Sequence, residues 1–320
     1  MAKRNKDKMQ RAKNRSKDEF YTLYHVVSDE MIYYAQHFKN KIIYCNTDDM
    51  NSNFWKYFDD NFEKLGLKKI IATKYNKDGN GEKYELEIID GKKIYKTEAL
   101  KSDGDFRSQE CVEILKEADI VVTNPPFSLF REFIKILYDY DKKFIILGNQ
   151  NAITFKNVYP LIQNNKLWLG VSIHSGYREF MIPIDYKKET DTFRIDEYGN
   201  RYICIAGVRW FTNLDHKYQY EKLILTKKYS EKEYPKYDNC DAINVNKTKD
   251  IPYDYDGVMG VPITFLDKYN PKQFKIIRFR YGDDGKDLKI NGKCPYFRIL
   301  IKRKEDGKHG EKESWVLFMR

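Results

Sequence analysis

Between residues 40 and 170, short β-branched apolar runs alternate with stretches of helical periodicity, and that alternation leaves few folds open. Lys41-Ile42-Ile43-Tyr44-Cys45, Lys69-Ile70-Ile71-Ala72-Thr73, Ala118-Asp119-Ile120-Val121-Val122-Thr123 and Lys143-Phe144-Ile145-Ile146-Leu147 read as buried strands. Trp168-Leu169-Gly170-Val171 starts a further one. Amphipathic helices are expected over 28–38, over 52–65 with Phe54, Tyr57, Phe58 and Leu65 inward, and over 108–117. Ser128 to Tyr138 reads as another, with Leu129, Phe133, Ile136 and Leu137 on one face. Residues 76–98 form a charged, hairpin-like insert with a turn at Asp90-Gly91. The pattern predicts an α/β fold with a doubly wound, mostly parallel sheet. After about residue 185 helical periodicity fades, and short runs such as Tyr202-Ile203-Cys204-Ile205 alternate with polar loops.

In that frame Asn124-Pro125-Pro126-Phe127 falls between a buried strand and a helix, at the carboxyl edge of the sheet, where α/β sheets bind ligands. Asn124 offers an amide oxygen, and Pro125 brings no N–H to compete for nearby carbonyls. Two rigid acceptors side by side suit an exocyclic –NH2 group, and Phe127 gives a flat face for a base. Acceptors on both N–H bonds localise the nitrogen lone pair and stabilise positive charge as that nitrogen attacks a methyl group. A plain Asn-Pro turn is the alternative.

The 320 residues suffice for one large α/β domain and a smaller one. The formal net charge of +10 and twenty-six tyrosines favour a polyanionic partner, although an AT-rich genome gives the same bias. No run approaches the ~20 apolar residues of a membrane helix, and no apolar stretch follows the basic N-terminus as a signal peptide requires. Five dispersed cysteines, with no CxxC pair, fit a reducing cytoplasm and no metal site.

Asp119 to Glu132 resembles the EcoRI-type adenine-N6 DNA methyltransferases, which use S-adenosylmethionine and carry the Asn-Pro-Pro-Phe pattern. So do Asp18-Glu19-Phe20-Tyr21-Thr22, Gly104-Asp105-Phe106-Arg107-Ser108, Trp168-Leu169-Gly170-Val171 and the run from Tyr234 to Leu266, in the family's order, from about residue 17 to residue 302. The resemblance implies a methyltransferase-type sheet with an added DNA-recognition region. It implies catalytic roles for Asn124, Pro125, Pro126 and Phe127. It makes Phe20, Tyr21 and Thr22 the element folded over the cofactor's methionine end. Asp105 and Phe106 resemble the element that accepts from its adenine amine. Asn46, Asp48 and Asp49 stand where this fold usually has an acidic, glycine-rich loop, but the glycines are missing. The second strand ends Ala72-Thr73-Lys74, without the acidic residue that commonly holds the ribose. Asp48 and Asp105 as helix N-caps remains the alternative for both.

The expected organisation is a basic flexible arm at 1–17, a catalytic domain at 18–185, a target-recognition region at 186–302 with strands able to complete the sheet, and a C-terminal tail at 303–320, charged over 303–313. The arm holds eight Lys or Arg against Asp7. Tyr234 to Asp250, dense in Tyr, Asn, Lys and Asp, is expected to make a poor core and a wet interface. The expected activity is methylation of N6 of a flipped-out adenine in double-stranded DNA by a monomeric cytoplasmic enzyme, in a restriction-modification or DNA-protection role. An RNA or protein-glutamine methyltransferase with the same site, a non-catalytic DNA-binding protein and, more weakly, a metal-dependent nuclease remain open. A C5-cytosine mechanism is disfavoured, because no Pro-Cys dipeptide is present.

Overall fold

The computed structural model describes residues 20–174, 176–184, 186, 192–280, 288–295 and 297–304. The basic arm over 1–17, Asp18-Glu19 and the tail from residue 305 lie outside the described residues. The chain divides into two compact units between Tyr218 and Gln219.

The first unit contains strands β1 (Tyr21–Thr22), β2 (Ile42–Asn46), β3 (Lys69–Lys74), β4 (Glu82–Ile89), β5 (Lys92–Ala99), β6 (Ile120–Thr123), β7 (Lys143–Asn149), β8 (Trp168–Leu169), β9 (Tyr177–Ile182), β10 (Arg194–Ile195), β11 (Arg201–Ala206) and β12 (Val208–Thr212). Its longer helices are α1 (Tyr24–Met31), α2 (Asn53–Asp60), α3 (Gln109–Glu117) and α4 (Phe130–Asp139). The main sheet has the order β5-β4-β3-β2-β6-β7-β12-β8. Only its centre, β3-β2-β6-β7, is parallel, so the sheet is mixed rather than mostly parallel. The β4–β5 hairpin adds antiparallel to β3, and β12 and β8 add antiparallel beyond β7. The hairpin turns through two left-handed residues, Asp90 (φ 50°) and Gly91 (φ 73°), whose twist suits a two-residue loop.

Buried β-branched side chains make the central strands. Ile43, Cys45, Ile70 and Ala72 pack with Val27 and Met31 of α1 and Phe54 and Phe58 of α2. On the other face Tyr138 meets Phe144 at 5.7 Å and Phe130 meets Phe211 at 5.0 Å between ring centroids. Each such side chain stabilises the fold by about 1.5–3 kcal/mol through burial. The expected inward face of α4 is corrected. Leu129, Phe133 and Leu137 are buried as expected, but a 3-10 turn over Phe127–Leu129 delays the helix to Phe130, and Phe130 and Ile134 are buried while Ile136 is only half-buried. The first helix likewise runs over Tyr24–Met31 and continues as a 3-10 turn and a short helix to Phe38.

Glu30 of α1 is fully buried and accepts from Tyr34 Oη (2.8 Å), Val171 N (2.9 Å) and Ser172 N (2.6 Å). A Cβ at Gly170 would lie 2.2 Å from its Oε1, so glycine there leaves room for the carboxylate.

A second, antiparallel sheet of the first unit has the order β1-β9-β11-β10. Its edge strand β1 is only two residues long and pairs Tyr21 with Met181 and Thr22 with Phe180. β9 to β12 all pair with strands of this unit, so strands beyond residue 185 complete its sheets and the compact units meet at Tyr218/Gln219.

The second unit is built on β13 (Lys236–Tyr237), β14 (Cys240–Asn244), β15 (Met259–Pro262), β16 (Phe274–Arg280) and β17 (Arg298–Arg303), in the order β13-β14-β15-β17-β16. Tyr234, Tyr237, Ala242, Ile243 and Val245 are buried, so the segment from Tyr234 to Asp250 contributes core, while Lys236, Asp238, Asn239, Asp241, Asn246, Lys247 and Lys249 are exposed. The tyrosines bury because their hydroxyls are bonded, Tyr234 to Asp250 O and Tyr237 to Asn244 Oδ1, each at 2.8 Å. Among the described residues no helix is long and apolar enough to cross a membrane.

Candidate active site

Chain progression across the main sheet reverses between β2 and β6. β3 lies on one side of β2, and the chain returns to its other side with β6. Carboxyl ends of strands diverge at such a reversal and leave a crevice. A cleft of about 260 Å³ opens there, lined by the loops after β2 and β6, the end of β3, the Gly104–Phe106 loop and β1.

Directly after β6 comes Asn124. Its Nδ2 donates to Phe20 O at 3.0 Å. Only the NH2 half of the amide can donate to a carbonyl, so this bond fixes which way the side chain faces. Its other half, Oδ1, is buried without a hydrogen-bond partner among the described residues. An unmet buried acceptor costs about 1–3 kcal/mol, and such a group calls for an explanation such as a ligand. Pro126 lines the cleft, while Pro125 is buried and Phe127 is half-buried beside it. The Phe127 ring packs on Phe20 at 6.0 Å and 54°, and Phe20 rests on Phe180 at 5.8 Å and Tyr186 at 6.1 Å.

The loop after β2 bends at Thr47, whose φ of 72° is unusual for a β-branched residue and does the turning for which a glycine would serve. Thr123, the last residue of β6, joins both sides of the crevice. Its hydroxyl meets Asn46 O, Asp48 Oδ2 at 2.7 Å and Thr47 Oγ1 at 3.2 Å. It has one hydrogen for three oxygens. If that hydrogen goes to Asn46 O, the Asp48 contact needs a proton on the carboxyl. Burial pushes Asp48 up from 3.8 to about 7, against the pull of Thr123 and Ser52. Asp49 accepts from Asn51 N at 2.8 Å and pairs with Lys74 Nζ at 3.1 Å. That bond to Asp49 raises Lys74. Asn46 is buried and holds the strand ends together, accepting from Thr73 Oγ1 at 3.4 Å.

On the third wall stand Asp105 and Phe106. Arg107 grips the Asp105 carboxylate through Nε (2.9 Å) and Nη2 (2.8 Å), and also bonds Glu132. The Phe106 ring is buried edge-on to Phe133 at 5.0 Å. The loop reaches the cleft because Gly104, at φ 78°, lies against the end of β3. A Cβ there would sit 2.4 Å from Lys74 O, and one at Gly81 would sit 2.7 Å from Gly104 Cα. Neither aspartate caps a helix. Ser52 accepts from Trp55 N at 3.1 Å and Ser108 from Cys111 N at 3.2 Å, so these two serines cap α2 and α3.

The cleft therefore brings together Phe20, Tyr21, Thr22, Asp48, Asp49, Asp105, Phe106, Asn124 and Pro126, but not Asn46, Pro125 or Phe127. Sequence reasoning missed Lys74, Asn53 and Met181, which also line it. Lys74 was legible as the residue ending a strand. Asn53 and Met181 carried no signal, because their place follows from contacts with β1.

The family of adenine-specific methyltransferase EcoRI matches residues 8–304. The Type II methyltransferase M.EcoRI of Escherichia coli is 54% identical over 313 residues, covering 92% of this chain and 96% of that one. The Type II methyltransferases M.MgeORF184P of Mycoplasma genitalium and M.MpnI of Mycoplasma pneumoniae are 40% and 37% identical, each across 92% of this chain and 98% of the relative. With the match spanning nearly its whole length, the chain belongs to the EcoRI family of adenine-specific methyltransferases.

Proposed function

We propose that this protein methylates N6 of an adenine flipped out of double-stranded DNA, with S-adenosylmethionine as donor. The observation that carries the reading is the buried, unpartnered Oδ1 of Asn124, held toward a ligand by the bond from Nδ2 to Phe20 O. An exocyclic amine is the group this acceptor lacks. A paired adenine hides its amine inside the duplex, so the base must leave the stack to reach it. Asn124 Oδ1 takes one N–H bond of N6 from the cleft, while the Pro125 carbonyl and the Phe127 ring, which lie beside the cleft and not in its lining, take the other N–H bond and the face of the base. As N6 becomes positive in the transition state, those fixed dipoles stabilise it without reorganising.

The cleft residues suit the cofactor. When bound, S-adenosylmethionine supplies an electrophilic methyl group on a cationic sulfur. Asp48 offers a carboxylate to that charge. Asp49, fixed by Lys74, provides at the end of β3 the acid that β3 itself lacks for the ribose. Asp105 and Phe106 hold the adenine end, and Phe20, Tyr21 and Thr22 close over the methionine end. Target recognition is assigned to residues 186–302, much of which forms a second unit with its own core.

The arm at 1–17 adds phosphate contacts without reading bases. With about four contacts, its deletion flattens the slope of log K against log salt by about 3–4 units and leaves the methylated sequence unchanged. An unchanged slope contradicts that role.

The test of the activity is incubation with labelled cofactor and separate DNA, RNA and protein pools, followed by nucleoside mass spectrometry of the DNA. N6-methyladenine in duplex DNA is the expected product. N4-methylcytosine, or label only in RNA or protein, contradicts the reading.

A further inference from the structure

We infer that Asn53 is a positioning residue for methyl transfer, acting through the strap at Phe20–Thr22. The strap pairs along only two residues, since β1 is an edge strand whose one neighbour among the described residues is β9, although Phe20 also packs on Phe127, Phe180 and Tyr186. Two side-chain amides take up its carbonyls. Asn124 Nδ2 donates to Phe20 O at 3.0 Å, and Asn53 Nδ2 donates to Thr22 O at 2.8 Å. The two bonds are two residues apart on the same strap. Asn53 is the first residue of α2, capped by Ser52, so its side chain projects from a fixed helix end. Rigid α2 thereby fixes the strap, and the strap fixes the Asn124 amide. With the strap loose, Nδ2 loses its acceptor, and the amide can turn its NH2 half toward the cleft. There it would meet the donor N–H bonds of the substrate amine with a donor of its own. Asn53 needs no contact with the substrate to change the rate.

This inference rests on the proposed role of Asn124. Asn53→Asp is the discriminating substitution. It keeps the size of the side chain and is compatible with the first turn of a helix, where negative charge is favoured, but it removes the donor to Thr22 O. Single-turnover methylation of duplex DNA with labelled cofactor is expected to fall about tenfold, the effect of one lost orienting hydrogen bond. Affinity for the DNA is expected to stay unchanged. Hydrogen exchange at Tyr21 and Thr22 is expected to quicken while Ile42–Asn46 keeps its protection. A wild-type rate in Asn53→Asp, or unchanged exchange in the strap, overturns the inference. So does equal loosening of Ile42–Asn46, which makes Asn53 a residue of general stability. Asn124→Ala run alongside separates the two claims. If it retains activity, the role of Asn124 fails. If it is inactive while Asn53→Asp is normal, only the role of Asn53 fails.

Discussion

The loop that carries Asn124 and the strap that faces it are held in opposite ways. The loop is set by its own sequence. A buried strand precedes it, two prolines stiffen it, Leu129 N closes a turn on Pro126 O at 2.9 Å, and α4 follows. The strap takes its place from elsewhere. Its partners are Phe180 and Met181 in β9, Asn53 in α2 and Asn124 itself. On the proposed reading, the local device supplies the dipole that acts on the substrate amine, and the long-range device orients it. A change in the loop should therefore abolish chemistry outright, whereas changes around the cofactor walls and the strap should weaken it by degrees.

The largest effect is expected at the loop. Asn124→Ala should lower the rate of methyl transfer by about a hundred- to a thousandfold, as loss of a preorganised transition-state dipole does. Its cofactor affinity, measured by calorimetry, should stay within a few-fold of wild type. Near-normal turnover would erase the contrast between loop and strap. Gly104→Ala comes next. The added Cβ meets Lys74 O at 2.4 Å on a left-handed backbone, so the Asp105-Phe106 wall must shift. Cofactor affinity should fall about tenfold, with a lowered melting temperature, since one such strained residue costs about 1–3 kcal/mol. Unchanged affinity would remove this loop from the site.

A smaller, pH-dependent effect is expected at Asp48. Its carboxyl is pushed up to about 7 by burial, so the folded protein holds a proton there that the unfolded chain has lost by that pH. Its contribution to stability is present below about pH 4 and is lost as pH rises to about 7. Binding a cationic cofactor has the opposite slope. It favours the carboxylate, so affinity should rise with pH, by at most about tenfold per unit, and level off above about 7. In Asp48→Asn both dependences should flatten. A wild-type pH profile in that variant would place the carboxylate away from the cofactor's charge.

The same contrast explains how much the sequence revealed. β2, β3, β6 and β7 were legible because each is a run of apolar, largely β-branched side chains buried on both faces, and Asn124 was legible because it directly follows one of them. The inward face of α4 shifted because a 3-10 turn delays the helix start, and periodicity alone does not mark such a turn. Asn46 was read as a cofactor residue from its place at a strand end; it lies inside β2, is buried and ties strand ends together. Gly104 was quoted for its resemblance, but its physical reason is the approach of Lys74 O, a contact no local pattern encodes. The pairing of Tyr21 with Met181 is of the same kind, and so is the role drawn here for Asn53.

The most direct measurement of the central claim is a structure of the protein bound to its DNA and a non-reactive cofactor analogue. The flipped adenine N6 should lie within hydrogen-bond distance of Asn124 Oδ1, about 2.7–3.2 Å, with Nδ2 still bonded to Phe20 O. An adenine amine held elsewhere, or an Asn124 amide turned with Nδ2 toward the base, would contradict the account.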